Sequence, residues 1–306
     1  MAEFKHIPVM LNEVIDGLAI KPDGIYADLT LGGAGHSIEI LKRLTTGHLY
    51  GVDKDQDALA AAKEKLKDFN NVTFIHSDFK KAISELPALD GVLMDLGVSS
   101  YQLDTAERGF SYRLEGDLDM RMSRDDRLTA KEVVNTYSEN ELTKIFFEYG
   151  EDKFSRQIAR AICSRRANKP IETTTDLTEI IWNAIPVKAR YSGSNPYMRV
   201  FQALRIYVNG ELTGLSEAVQ DAIGKLKKGG RICVITFHSL EDRIVKQQFK
   251  YQELDCVCPP KMPVCTCGKV STIRIITKKP LTAGQDELNM NSRSECAKLR
   301  IAEKKI

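Results

Sequence analysis

The sequence predicts an α/β protein, a doubly wound sheet with helices on both faces and an inserted all-helical domain. Three observations carry this. Short apolar runs alternate with helix-forming segments, the pattern of a parallel sheet. A glycine-rich turn joins the first strand to the first helix of that pattern. More than a hundred residues between the fourth and fifth strands then read mostly as helix, far beyond an ordinary loop. The expected domains are therefore 1–107 with 205–306, forming a discontinuous sheet domain, and 108–204 as the insert.

Taken in order, residues 24–27 form the first strand, ending in Asp28, and residues 48–52 the second, ending in Asp53. Residues 56–63, QDALAAAK, are strong helix formers. Residues 72–76 and 90–95 make the third and fourth strands, the fourth continuous and apolar as a strand buried on both faces should be. Helices are expected at 128–134, 139–149, 155–166 and 176–184, the last stopped by Pro186. The fifth strand lies at 229–238, and residues 273–277 and 298–302 close the sheet.

Segment 26–36, YADLTLGGAGH, is the richest in chemistry. Its glycines, Gly32, Gly33 and Gly35, follow an acid four residues upstream and do not match the G-x-G-x-x-G spacing of a dinucleotide loop. An acid at the tip of the first strand would repel a diphosphate but suits a cationic amino-acid moiety. S-adenosylmethionine has that moiety and no phosphate, so it is favoured over NAD. Asp53, at the second tip, is placed to accept hydrogen bonds from a ribose diol. Ligands of such sheets lie outside the carboxyl ends of the strands, and the tips carry Asp28, Asp53, Asp78-Phe79, Asp95 and His238. Asp78 with Phe79 suits an adenine, although an acid there is equally a helix cap.

Composition excludes less. The 306 residues are 42% hydrophobic and 28% charged, ordinary for a globular chain, with a net charge of +2. The basic residues are unevenly spread. Residues 153–169 carry six Lys or Arg and no acid, residues 180–207 four more without an acid, and residues 269–306 nine against four acids. Three such stretches point towards nucleic acid. No apolar run is long enough to span a membrane and the N-terminus lacks a signal-peptide core, so a cytoplasmic protein is expected. Seven cysteines argue against a disulfide framework. Four cluster as Cys256-x-Cys258-x6-Cys265-x-Cys267, a zinc candidate by donor type. Their C-x-C pairs are tighter than the usual C-x2-C knuckle, which favours a metal-free loop of reduced thiols, and no metal ligand is assigned.

The loop after the fourth strand, DLGVSSYQLD, lies where substrate should meet cofactor. An exocyclic base amine has its lone pair delocalised into the ring, so an acceptor on its N–H must draw it towards tetrahedral geometry. Asp95 and the carbonyls of residues 96–99, Ser99 among them, are candidates. His238-Ser239 at the fifth tip is placed to touch the same nucleotide, which must be unpaired or flipped to be reached. Arg156 and Arg160, four apart on one helical face, are candidates to clamp the surrounding RNA.

At these residues the chain resembles the ribosomal RNA small-subunit methyltransferase H family. The matching segments are HIPVML from His6, Asp28 to Ser37, Asp90 to Asp104, RGFSY from Arg108, LDMRM from Leu118, RVFQALRI from Arg199 with NGEL from Asn209, and FHSLEDR from Phe237. The resemblance implies a class I S-adenosylmethionine methyltransferase (Rossmann-like) fold with a helical substrate-recognition insert, and methylation of the N4 of a cytosine in the decoding region of 16S ribosomal RNA. It implies S-adenosyl-L-methionine as cofactor, contacted by Ala34, Gly35, His36, Asp53, Phe79, Asp95 and Gln102, and the small ribosomal subunit as partner. Oligomeric state stays open, a homodimer included. Two stretches depart from the family. Ser292 and Glu295 replace a proline and an arginine of its C-terminal N-P-R-x-R-S-A-K-L-R, and Asp152-Lys153 replaces Glu-Arg of its Y-G-E-E-R. The rival readings are a ribosome-assembly factor that binds RNA without catalysis and an NAD-dependent oxidoreductase.

Overall fold

The computed structural model describes residues 8–191, 195–259, 262 and 264–306; His6 and Ile7, which open the first matching segment, lie outside them. Seven strands form one sheet: β1 (Ile25–Asp28), β2 (His48–Asp53), β3 (Val72–His76), β4 (Leu89–Asp95), β5 (Leu226–Thr236), β6 (Ile273–Ile275) and β7 (Lys298–Lys304). Their order is β3-β2-β1-β4-β5-β7-β6. The first five strands pair in parallel, but β7 runs antiparallel to β5 and to β6. The all-parallel sheet expected from alternation therefore holds only up to β5. The last two strands are joined without a crossover across the sheet, so nothing forces them parallel.

Side chains leave the strands alternately for two faces. Tyr26, Leu49, Leu93, Cys233, Ile235 and Leu299 enter one apolar cluster. Ala27, Val92, Met94, Ile232, Val234 and Ala302 enter the other. The first cluster takes in helices Leu11–Leu18, Gly35–Leu41 and Gln56–Lys65, and the second Leu215–Lys225 and Ser239–Glu253. Gly17 lets the Leu11–Leu18 helix approach closely: a Cβ there would lie 2.7 Å from Ile301 Cδ1 and 2.9 Å from Cys233 Sγ.

By internal contacts the chain divides into residues 1–97 with 212–306, and residues 98–211. Each edge of the expected insert thus moves outward, from 108–204 to 98–211. The downstream edge has a plain cause. The helix Pro196–Asn209 is one element, and its Val200, Phe201, Leu204 and Val208 all enter the core of the second unit. A cut at residue 204 would have split it.

Among the described residues, the regular elements of that second unit are helices, with an isolated bridge between Asp117 and Thr173. Its longer helices, Glu139–Gly150, Ser155–Arg166, Thr174–Ala184 and Pro196–Asn209, surround Phe146, Ile158, Ile162, Ile181 and Phe201. Ser138 with Glu141, and Thr173 with Asp176, form capping boxes that start two of them. The RGFSY and LDMRM segments serve this core. Buried Arg108 donates to the carbonyls of Arg121 (3.0 Å) and Met122 (2.8 Å). Asn209 accepts from Met122 N–H at 2.7 Å and donates to Met120 O at 2.8 Å.

Candidate active site

The sheet unit gathers its polar residues at the carboxyl ends of β1, β2, β4 and β5. Asp28 ends β1 and is buried. Its Oδ2 accepts from the Ser37 hydroxyl at 2.7 Å and its Oδ1 from Thr30 N–H at 3.2 Å. Loss of water at this carboxyl outweighs those bonds, and nearby Asp53 adds repulsion, so its pKa is pushed up to about 6. Asp53 ends β2 and holds the glycine loop. Its Oδ2 accepts from Gly32 N–H at 2.7 Å, and its Oδ1 from Asp55 N–H at 2.8 Å. Burial raises the Asp53 carboxyl as well. Each oxygen spends one lone pair on backbone and keeps a second for a ligand.

The loop itself turns through left-handed conformations at Gly32 (φ 49°) and Ala34 (φ 59°) before the helix Gly35–Leu41 begins. The first is cheap for glycine, while the second is strained for alanine. Next comes His36, buried, with Nε2 2.9 Å from the Val9 carbonyl and Nδ1 3.8 Å from Asp95 Oδ2. Beyond β3, Asp78 caps the short helix Phe79–Ala82 by accepting from Lys80 N–H at 2.9 Å. Of the two readings open for Asp78, the structure displays the cap. Phe79 is partly exposed, with Lys80 Nζ 5.8 Å from its ring centre.

Asp95 ends β4, anchored by its N–H to Thr30 Oγ1 at 2.6 Å. Its Oδ1 is shielded from solvent and has no hydrogen-bond partner. Burial first, then Asp28 and Glu241, raise this carboxyl well above the usual range. At the neighbouring tip of β5, both ring nitrogens of His238 are likewise buried without a hydrogen bond. Its Nε2 lies 3.1 Å from Glu241 Oε1, close but out of line, while Glu241 Oε2 accepts from Phe237 N–H at 3.0 Å.

Buried, mutually repelling carboxyls beside unsatisfied polar atoms fit a cationic nucleoside ligand. They would oppose a pyrophosphate. The residues present therefore suit S-adenosylmethionine and disfavour NAD.

Ala34, Gly35, His36, Asp53, Phe79, Asp95 and His238 all belong to the sheet unit. Ser99 and Gln102 belong to the helical unit, where they form a reciprocal capping box on the helix Ser100–Asp104: Ser99 N–H donates to Gln102 Oε1 at 3.1 Å and Gln102 N–H to Ser99 Oγ at 3.2 Å. Thr30, Ser37 and Glu241 were missed as site residues. All three stand within the segments that carry the resemblance, but only the fold shows what their side chains touch.

The basic stretches divide. Arg156 is exposed on the helix Ser155–Arg166, and Arg160 Nε is 3.5 Å from Glu139 Oε1. Arg166 donates to Val134 O, Arg199 to Glu151 O, and Arg205 forms a bidentate pair with Glu211 at 2.9 Å. Arg300 grips Asp242 at 2.7 and 3.1 Å. Much of the positive charge that suggested nucleic acid thus holds the fold together. Among the described residues no helix is long and apolar enough to cross a membrane.

The strand order, its antiparallel β7 and the acid-glycine loop define a class I S-adenosylmethionine-dependent methyltransferase. The sequence profile of the MraW methylase family matches residues 3–305, and the chain belongs to that family. It is 55% identical over 308 residues to the ribosomal RNA small subunit methyltransferase H of Clostridium botulinum (strain Kyoto / Type A2), covering 99% of each chain. It is 52% identical over 309 residues to the protein of that name from Clostridioides difficile (strain 630), again covering 99% of each. Among solved structures, an rRNA methylase from Streptococcus thermophilus is 11% identical with a TM-score of 0.43, covering all of both chains.

Proposed function

We propose that this enzyme methylates the N4 amine of a cytosine in the decoding region of 16S ribosomal RNA, with the small ribosomal subunit as its working substrate. One observation carries the chemistry: at adjacent strand tips, Asp95 Oδ1 and the His238 ring are buried with no hydrogen-bond partner. Such groups cost free energy while unpaired, on the order of 1–3 kcal/mol each, and a base edge would satisfy them.

When bound, S-adenosylmethionine supplies an electrophilic methyl group on a sulfonium. Asp53 would bind its ribose, Phe79 would cover its adenine, and the 34–36 turn would lie against its body. Asp95 accepts an N–H of the target amine, drawing the nitrogen lone pair out of conjugation and towards the methyl carbon. Burial and neighbouring carboxyls favour the neutral form of Asp95, and a cationic cofactor alongside would restore the carboxylate that accepts the proton the amine must lose. His238 holds a second edge of the same base. Ser99 and Gln102 remain in the proposal because they fix the start of the helical unit four and seven residues beyond Asp95. That unit is the proposed RNA-recognition part, with Arg156 and Lys188 as exposed cations.

The test is mass spectrometry of cytidines after incubating the purified enzyme and labelled cofactor with naked 16S RNA or with small subunits from cells lacking this gene. N4-methylcytidine formed on subunits is the expected result. Label on another atom, or none despite subunit binding, would replace this reading with a different methylase or with an assembly factor.

A further inference from the structure

Cys256, Cys258, Cys265 and Cys267 lie outside the methyl-transfer site, in the segment between the helix Ser239–Glu253 and β6. The base of that segment is held: Thr272 N–H donates to Gln252 O at 3.0 Å, Ile275 N–H to Glu253 Oε1 at 2.7 Å, and Ser271 N–H to Asp255 Oδ1 at 3.2 Å. Above that base, none of the described residues from 254 to 270 is buried or in a helix or strand. Val257, Val264 and Val270 are all exposed. Apolar packing of these described residues therefore does little to offset the entropy of fixing them.

What the loop does bring together is sulfur. The four Sγ atoms all lie within 4.8 Å of one another. Cys256 to Cys265 is 3.4 Å, Cys265 to Cys267 3.6 Å, Cys267 to Cys256 3.8 Å and Cys258 to Cys265 3.9 Å. Four thiolates about 2.3 Å from a tetrahedral ion sit about 3.8 Å apart. A disulfide needs about 2.05 Å, and no pair stands out as bonded partners. Backbone N–H groups also point at the sulfurs, Cys258 N–H at Cys256 Sγ (3.3 Å) and Val257 N–H at Cys267 Sγ (3.4 Å). Such donors stabilise thiolate charge. Gly268, at φ 61°, turns the chain away after the last cysteine.

We propose that Cys256, Cys258, Cys265 and Cys267 form a structural zinc site that orders this loop. The tight C-x-C spacing, which favoured free thiols in the sequence, is accommodated because the two pairs face each other and every sulfur reaches the same centre. Four ligands close the coordination shell, so the site is structural and leaves no position for substrate. Binding balances as four thiols plus Zn²⁺ giving a tetrathiolate of charge −2 and four protons released to buffer. No oxidant is required. Neither the methyl-transfer reading nor its failure bears on this site.

The experiment uses the full-length protein purified under reducing conditions without chelator. Elemental analysis should find about one zinc per chain. After chelator stripping, Co²⁺ should produce the thiolate-to-metal charge-transfer and intense visible bands of a tetrahedral all-sulfur site, and Zn²⁺ should bleach them. Cys256→Ser and Cys267→Ser should each weaken Co²⁺ binding at least tenfold, whereas Cys296→Ser, on an exposed cysteine elsewhere, should leave it unchanged. Trypsin should cut at Lys269 in the stripped protein and spare the zinc form. Should the serine variants fail to fold, the Co²⁺ spectrum of the unmutated chain decides alone. Absence of metal with no Co²⁺ spectrum, a mass two units lower per disulfide, or cobalt bands that persist in the Cys256→Ser variant would overturn the proposal.

Discussion

In the helical unit Arg108, Arg121, Arg205 and Asn209 each find hydrogen-bond partners inside the unit. In the sheet unit, Asp95 Oδ1 and the His238 ring find none. Both sets stand in the segments that carry the family resemblance, so resemblance does not distinguish a residue that builds the fold from one that waits for a ligand. Satisfaction does. A buried polar group with all its partners is part of the scaffold, while one left without them is destabilising unless a ligand completes it.

Four changes would break or sharpen that contrast. Asp95→Asn should produce the largest effect, a fall in turnover of roughly 10²–10³-fold, because it removes the proposed acceptor for the amine proton. RNA binding should persist; parallel loss of binding and turnover in single-turnover assays would make Asp95 structural. Arg108→Ala should do the reverse, costing stability of about 3 kcal/mol by orphaning the buried Met122 carbonyl and the part-buried Arg121 carbonyl. Urea denaturation should report this while calorimetric cofactor affinity stays unchanged, and an unaltered midpoint would remove Arg108 from the scaffold.

Asp53→Ala comes next, with cofactor affinity expected to drop about tenfold as the proposed ribose contact and the Gly32 tether are lost; unaltered affinity by calorimetry would reassign it. The smallest effect is that of pH. Asp28 has its pKa raised to about 6 from an ordinary 3.8. The folded state thus holds this proton more tightly than the unfolded chain, so the group's contribution to stability is present below about pH 4 and is lost as pH rises through about 6. A cationic ligand reverses the preference by favouring the carboxylate. Cofactor affinity should therefore weaken as pH falls below about 6, by at most tenfold per unit, with proton release on binding near that pH. Isothermal titration in two buffers of different ionisation enthalpy checks it, and flat affinity between pH 5 and 7 would uncouple Asp28 from the ligand.

All seven strands were legible because each is a short apolar run bounded by turn residues, and five end at a polar tip. The helices Leu11–Leu18, Pro196–Asn209, Leu215–Lys225 and Ser239–Glu253 went unread as elements. Ser239–Glu253 shows why: it buries Glu241, Gln248 and Gln252 beside Val245 and Phe249, so its inner face lacks a clean apolar stripe. Of the candidate site residues, Asp28, Asp53, Phe79 and Asp95 were visible from their place at strand tips and Gly35 from the glycine turn. His36 and Gln102 came only through resemblance, since an isolated histidine or glutamine carries no spacing signal.

By itself the sequence determined the strand–helix alternation, the acid-glycine loop, the cofactor class and the existence of a helical insert. Each is written in local order, in periodicity, turn chemistry and residue spacing. Only the tertiary structure decided the reversal of β7, the extent of the insert at 98–211, the division of arginines between scaffold and surface, and the meeting of four sulfurs across a loop. Those depend on which distant residues become neighbours. Burial and hydrogen-bond satisfaction are properties of that neighbourhood and of no single stretch of chain.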